Sequence, residues 1–318
     1  MRTNCSRRKF IAAAAGIAAS GCGRGVITPS ALRPAVAVLR APNYNADLLD
    51  IMMRGAELCG LNVRGKRVLL KPNLVEFAGH TCINTNAAVV AAAAQLFEKL
   101  GAAEVRIGEG PGHRRDTLYL AEEAGYFEAI PRFEERFVDL NRDDVSPVPG
   151  FLKDKDLYLP KTALGAELVV SLPKMKTHHW AGATLSMKNF FGVVPGAVYG
   201  WPKNPLHYAG IDHSIVELTR IFRRSFAIVD GVVGMEGNGP IQGSPKQAGV
   251  IVMGSDLVSV DATCCRLMGI DPEKVAYLRM ARDLGQIDPA RIDQRGEAIA
   301  AAAQRFLLID EFKHLRLS

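Results

Sequence analysis

The stretch Leu172–Gly192, LPKMKTHHWAGATLSMKNFFG, concentrates groups that can do chemistry. Lys174, Lys176 and Lys188 carry ammonium groups, His178 and His179 carry imidazoles, Trp180 offers an aromatic face and Asn189 an amide. The stretch follows an apolar run, Ala166–Ser171, with the composition of a buried strand. Lys174, Lys176 and His178 recur every second residue, so an extended chain places all three on one face. His179 then points the other way, and this parity selects His178 as the ligand or general base. Ammonium groups that share a crevice repel one another unless an anion or carboxylates neutralise them. The spacing therefore points to a phosphate- or carboxylate-bearing partner, the competing reading being a basic loop tip in water.

The same grammar, an apolar run breaking into a polar cluster, recurs along the chain. VLL runs into KPNLVE with Lys71 and Asn73, and VRI runs into GEGPGH with Glu109. AIV leads to DGVVGMEGNGP with Asp230 and Glu236, and VIVMG leads to SDLVSVDA with Asp256 and Asp261. In open α/β sheets ligands bind in the crevice beyond the carboxyl ends of the strands, so these five segments are expected to meet at one site. Carboxylates with a few histidines suit a hard divalent ion such as magnesium or manganese, while Asp256 also fits a turn acid. The glycine-rich segment 234–245 offers backbone N–H groups to an anion. Neither G-x-x-x-x-G-K-[ST] nor G-x-G-x-x-G in strand–helix context occurs, and no nucleophile elbow, H-E-x-x-H or EF-hand is present.

The elements that must hold these residues alternate. Ala35–Arg40 reads as a strand and Asn45–Gly60 as a helix capped by Asn45. Lys66–Val75 reads as a strand, Asn86–Gly101 as a helix capped by Asn86, and Ala103–Gly112 as a strand, with Asp116 capping a further helix. Residues 136–161 are polar and proline-broken and suit a hairpin or insertion. Apolar runs at Ala166–Lys174, Phe226–Gly234 and Ala248–Ala262 supply more strands, and Asp271–Gly285 reads as a helix. The pattern predicts an α/β fold with a mostly parallel or mixed sheet flanked by helices, residues 31–318 forming one large domain or two closely packed lobes.

The chain has 318 residues and a formal net charge of +6. Removing Arg2, Arg7, Arg8 and Lys9 lowers Lys+Arg from 39 to 35 against 33 Asp+Glu, a net +2, so no strongly basic body remains. No basic stripe interleaved with aromatics appears, which argues against a nucleic-acid partner. Residues 1–30 read as a signal peptide and linker: SRRKFI places twin arginines before Phe10, and the apolar run that follows is too short to span a bilayer. This resembles a twin-arginine export signal, which implies the twin-arginine translocase as a partner and a periplasmic location. AASGC resembles a lipoprotein processing box with Cys22 as the acylated residue, so membrane contact is expected only through a lipid on Cys22. None of the remaining cysteines has C-x-x-C spacing, so no iron–sulfur cluster is expected; a Cys59–Cys82 disulfide fits an oxidising compartment. Cys264 and Cys265 read as small buried residues on a helix.

Taken together, LLKPNLV, LPKMKTHHWAGATLSMKNFFGVVPG, IVDGVVGMEGNGPIQG and GSDLVSVDATCCRLMGID resemble the family of domain of unknown function 362 over residues 35–296. The family pattern falls here on Lys71 and Asn73, on Lys174, Lys176 and His178, on Lys188 and Asn189, on Asp230, Glu236 and Gly239, and on Asp256 and Asp261. The resemblance implies a site without implying its reaction. Some relatives carry a ferredoxin-like cysteine module, which this chain lacks. The expectation is an exported protein that binds an anionic small molecule with a divalent metal. Lys174, Lys176, His178, Lys188 and Asp230 would be catalytic, and Lys71, Asn73, Asn189 and Gly239 would bind ligand. Glu236, Asp261 and Glu109 would hold the metal. A binding protein without turnover, or a redox protein, is the alternative.

Overall fold

A computed structural model describes residues 33–79, 81–112, 116–151, 155–201 and 203–317. The twin-arginine segment and Cys22 lie outside the described residues. Twelve strands are present among them: β1 (Ala35–Arg40), β2 (Arg67–Pro72), β3 (Glu104–Glu109), β4 (Phe137–Asp139), β5 (Val145–Phe151), β6 (Lys155–Pro160), β7 (Leu168–Leu172), β8 (Lys174–His178), β9 (Gly182–Thr184), β10 (Ser225–Glu236), β11 (Ser244–Gly254) and β12 (Asp293–Gly296).

Ten of the strands form one sheet in the order β12-β1-β11-β10-β7-β2-β3-β4, with β8 pairing β10 and β9 off that path. The sheet is mixed, as expected. β2, β3, β4, β7, β8 and β10 run parallel, while β11 is antiparallel to both of its neighbours. The hairpin expected over 136–161 is β5–β6, a separate two-stranded sheet.

Strand alternation divides the core into two layers. Val36, Val38, Leu69, Val169, Val229 and Val252 face one cluster, and Ala37, Leu39, Leu70, Val170, Ile228 and Met253 face the other. Both faces of the sheet are thus buried, which is why its strands read as continuous apolar runs. The second layer is covered by helices α1 (Leu48–Leu58) and α2 (Ala87–Lys99). Asn86 caps α2 by accepting from Ala88 N, but the acceptor at α1 is Asp47 rather than Asn45. Asp116 caps α3 (Thr117–Glu123) through Leu118 N and Tyr119 N. None of the helices among the described residues is long and apolar enough to cross a membrane.

Two element assignments differ from the sequence reading. The apolar run 248–262 is not all strand: β11 stops at Gly254, and Asp256 caps a helix, Leu257–Leu267, by accepting from Ser259 N. Buried helices and buried strands are equally apolar, so periodicity could not separate them. Residues 271–285 do not form one helix either. Asp271 caps a single 3-10 turn, Pro272–Lys274, and a short helix, Ala276–Met280, follows. Cys264 and Cys265 are buried on the helix Leu257–Leu267. Cys59 and Cys82, which an oxidising compartment would allow to pair, are free thiols: Cys59 donates to Met253 O and Cys82 to Gly234 O, on different parts of the sheet.

Candidate functional site

A cleft of about 740 Å³ opens beyond the carboxyl ends of β2, β3 and β8. The turn after β2 contributes Asn73, the end of β3 contributes Glu109, and β8 and the turn after it contribute Lys176, His178, His179 and Trp180. A 3-10 turn, Lys188–Val193, adds Lys188, Asn189, Phe191 and Gly192, and the short helix Asn204–Tyr208 with the residue before it adds Lys203, His207 and Tyr208.

Lysines form the floor. Lys176, fully buried, donates to Asn73 Oδ1 (2.7 Å) and Ile83 O (2.9 Å) and more distantly to Pro240 O (3.4 Å), none of them a charged partner. Lys203 donates to Gly110 O (2.5 Å) and Phe191 O (3.3 Å) from a left-handed backbone, φ 64°, which is strained for a residue with a Cβ. Lys188 has neither a hydrogen bond nor an ion pair among the described residues; its ammonium lies 4.4 Å from the centroid of the Phe191 ring. Lys188 keeps some exposed surface where it faces the cleft. Desolvation drives all three below the ordinary lysine range, Lys176 to about 7 with help from Lys188 and Lys174, Lys188 to about 8 with help from Lys71, and Lys203 to about 7.

The histidines are fixed by their backbone contacts. His178 Nδ1 accepts from Trp180 N (3.0 Å) and Ala181 N (3.1 Å), so its ring proton sits on Nε2. Burial and the adjacent Lys188 hold this ring well below the usual histidine range, so it stays neutral. His179 Nδ1 lies 2.7 Å from Gly239 O, a carbonyl that can only accept, so His179 donates from Nδ1. The two rings stack at 5.0 Å. Parity therefore failed to choose between them. β8 ends at His178, the chain turns, and both rings line the cleft.

Beneath the cleft Lys71 and Glu109 form a buried ion pair. Asn189 joins it, accepting from Lys71 Nζ (3.0 Å) and donating to Lys71 O (2.9 Å) and Ser171 Oγ (3.1 Å), so it stitches β2 to β7. Glu109 Oε2 lacks a hydrogen-bond partner of good geometry, and desolvation raises the carboxyl pKa against the pull of Lys71 and Lys203. Gly192 is required here because a Cβ would collide with Glu109 Oε1 and Lys71 Nζ.

Of the expected residues, Asn73, Glu109, Lys176, His178, Lys188 and Asn189 line the cleft. Lys71 is spent on Glu109 rather than on a ligand. Lys174 and Asp230 belong to a neighbouring network behind the start of α2. There Asp230 accepts from Lys174 Nζ (2.5 Å), Tyr44 OH (3.1 Å) and Asn86 N (3.0 Å), and Lys174 also donates to Tyr44 OH (2.8 Å). The Asp230 carboxylate is thereby saturated. Gly239 supports the site through its backbone: its carbonyl accepts from His179 N (2.9 Å), and a Cβ would strike Thr177 O.

The three carboxylates expected to hold a metal do not meet. Glu109 is paired with Lys71, and Glu236 accepts from Leu307 N (2.8 Å) with Lys246 at 3.7 Å. Asp261 is buried under the turn before Lys188, where it accepts from Ser186 N (2.8 Å), Ser186 Oγ (2.5 Å) and Met187 N (3.2 Å). Burial pushes its pKa up to about 7. Among the described residues no three His, Cys, Asp or Glu side chains form a group that could hold a metal ion.

Lys203, His207 and Tyr208 line the cleft although no strand-end signal in the sequence marks them. Lys203 follows no strand and sits between prolines in WPKNPLHY, where the only signal was a turn. Only the packing of Asn204–Tyr208 against the Lys188 turn brings it in.

Known proteins share much of this chain. The family model for the domain of unknown function DUF362 matches residues 68–266. A thylakoid-associated protein of Synechocystis sp. is 31% identical over 266 residues, 79% of each chain. Among solved structures, the lactate racemase apoprotein from Thermoanaerobacterium thermosaccharolyticum aligns at a TM-score of 0.48 and 13% identity, over 75% of this chain and 57% of that one. A Thermotoga maritima protein aligns at 0.36 and 13%, over 74% and 59%. Neither score supports a transfer of function.

Proposed function

The chain belongs to the DUF362 family of unknown function, and from its cleft we propose that it binds a small anionic molecule, a phosphate or a carboxylate, and moves a proton on it. Lys188 carries this reading: an ammonium group facing a cleft of about 740 Å³ with no anionic partner of its own. A desolvated cation without a counter-charge is costly, and an arriving oxyanion relieves that cost. Lys176 and Lys203 sit beside it, with ammonium groups held by carbonyl and amide oxygens and charge to spare. A lysine near 7 is half-neutral at neutral pH and can accept a proton, while His178 Nε2–H can donate a hydrogen bond to charge that develops on the ligand. No metal enters this reading, because the carboxylates expected to hold one are committed elsewhere.

Titration calorimetry with inorganic phosphate, pyrophosphate and citrate tests it. At least one should bind the native chain, and Lys188→Gln should weaken it ~10-fold or more, as for loss of a charged contact. Absence of binding by all three, with no rise in thermal stability, would overturn the proposal.

The same proposal carries export. The twin arginines Arg7 and Arg8, the short apolar run and Cys22 support passage through the twin-arginine translocase and a lipid anchor. The thylakoid association in a relative's name accords with a membrane-bound location. Residues 1–30 fused to a reporter should carry it across the membrane. Replacement of both arginines by lysine should retain it inside, and Cys22→Ala should release it from the membrane fraction. Export that survives the arginine change would refute this half.

A further inference from the structure

The cleft is too large and too aromatic for a bare oxyanion. Clefts of this volume are the size that takes whole small molecules, far more room than a phosphate or carboxylate group fills. Above the lysine floor runs a belt of rings. His179 meets Trp180 edge-on at 4.6 Å, Trp180 meets His207 at 5.5 Å, and His207 meets Phe191 at 6.0 Å. Phe191 is also the ring under the Lys188 ammonium, so the belt and the anion floor share a residue.

Two aromatic side chains at the cleft are uncovered. Trp180 is 61% exposed and Tyr208 is 85% exposed, though both line the cleft. Large exposed aromatic side chains rimming a concave site are what an apolar or π-bearing ligand covers. The His207 ring also lines the cleft, with its Nδ1 buried and lacking a hydrogen-bond partner of good geometry.

Resting on the anion-binding reading above, we propose that the ligand is an aromatic ring system bearing a phosphate or carboxylate. Its ring lies against Trp180 and Tyr208, and its anionic group reaches Lys188, Lys176 and Lys203. The rings supply preference for a flat ligand and the lysines supply the pull on its charge. Stacking of a ring on an aromatic side chain is worth about 1–3 kcal/mol, or roughly 5- to 150-fold in affinity.

The test compares 1-naphthylphosphonate with butylphosphonate, two probes with the same headgroup, by titration calorimetry on the native chain. The naphthyl probe should bind ~10-fold tighter or better. Trp180→Ala should bring the two affinities within about twofold by weakening the naphthyl probe more than the butyl probe, and Tyr208→Ala should narrow the gap in part. Lys188→Gln should weaken both probes together. Both aromatic positions are exposed, so their truncation leaves the core packing alone. Equal affinity of the two probes for the native chain, or a preference that survives in both aromatic variants, would overturn the aromatic inference and leave anion binding standing. Failure of both phosphonates and of inorganic phosphate to bind would overturn the two readings together.

Discussion

Replacing Lys71 with methionine asks whether the pair beneath the cleft holds the ends of β2 and β3. Both side chains are out of solvent, 0% and 1% exposed, so the pair is buried in full. Lys71→Met strips Glu109 Oε1 of its ammonium partner while Oε2 already lacks one of good geometry. A charge abandoned in this way costs about 3–5 kcal/mol. Glu109→Met should cost less, about 1.5–3 kcal/mol, because Lys71 Nζ keeps Pro72 O at 2.8 Å and Asn189 Oδ1 at 3.0 Å. With both replaced, two apolar side chains meet and the loss should fall to about 1–2 kcal/mol. The coupling energy is then at least ~2 kcal/mol, well outside the scatter of independent sites. Urea unfolding of the four proteins at pH 7 measures it.

The pH dependence adds a second check. Burial already raises the Glu109 carboxyl, and loss of Lys71 raises it further. In Lys71→Met the folded state therefore binds more protons than the unfolded state above the ordinary carboxyl range. Its stability deficit should shrink as pH falls from 8 to 5.5. Single losses that simply add, with coupling below about 0.5 kcal/mol, would refute the assignment of this pair as the brace of the cleft.

Three further outcomes follow from the same geometry. Lys176 and Lys203 at about 7 and Lys188 at about 8 lie below the ordinary 10.5, so the unfolded chain binds more protons between those values. Unliganded stability should then rise with pH through that window while phosphate affinity falls, and a phosphate affinity independent of pH from 6.5 to 9 would contradict it. Asp261→Asn should cost about 1–3 kcal/mol and raise the phosphate Kd several-fold, since the carboxylate holds the Ser186–Met187 turn that leads to Lys188. It should also abolish the loss of stability between about pH 4 and 7 that a carboxyl raised from 3.8 to about 7 produces; thermal melts across that range decide the point. Gly239→Ala drives a Cβ into Thr177 O and should lower stability by about 2 kcal/mol while loosening His179, visible as a changed imidazole resonance in NMR. An unaltered His179 signal would count against that contact.

Much of the site was legible because its residues carry costs that chemistry rarely tolerates without reason. Lysines in or beside strand-end segments must be paired or left facing a cleft, and Lys71 and Lys188 show the two cases. The sequence could not say which. Lys71 and Lys174 were drawn off by Glu109 and Asp230, partners 38 and 56 residues distant in the chain. The three carboxylates expected to hold a metal stay apart for a related reason. Glu109, Glu236 and Asp261 all follow strands, but strand ends in a ten-stranded sheet are spread along its width, and β11 runs the other way. A polar strand end therefore did not guarantee a shared crevice.

By itself the sequence determined the local alternation of strand and helix, the caps at Asn86 and Asp116, the mixed α/β class and the lysine-rich segment after β7. Those depend on periodicity, capping chemistry and burial, which act over a few residues. Only the tertiary structure decided that both His178 and His179 face one cleft, that Lys203 joins from a turn with no strand before it, and that Asp261 braces a loop instead of holding an ion. Each depends on which distant segment packs against which. Desolvation and pairing, the two effects that set the charge of a buried lysine or carboxylate, exist only once that packing is made.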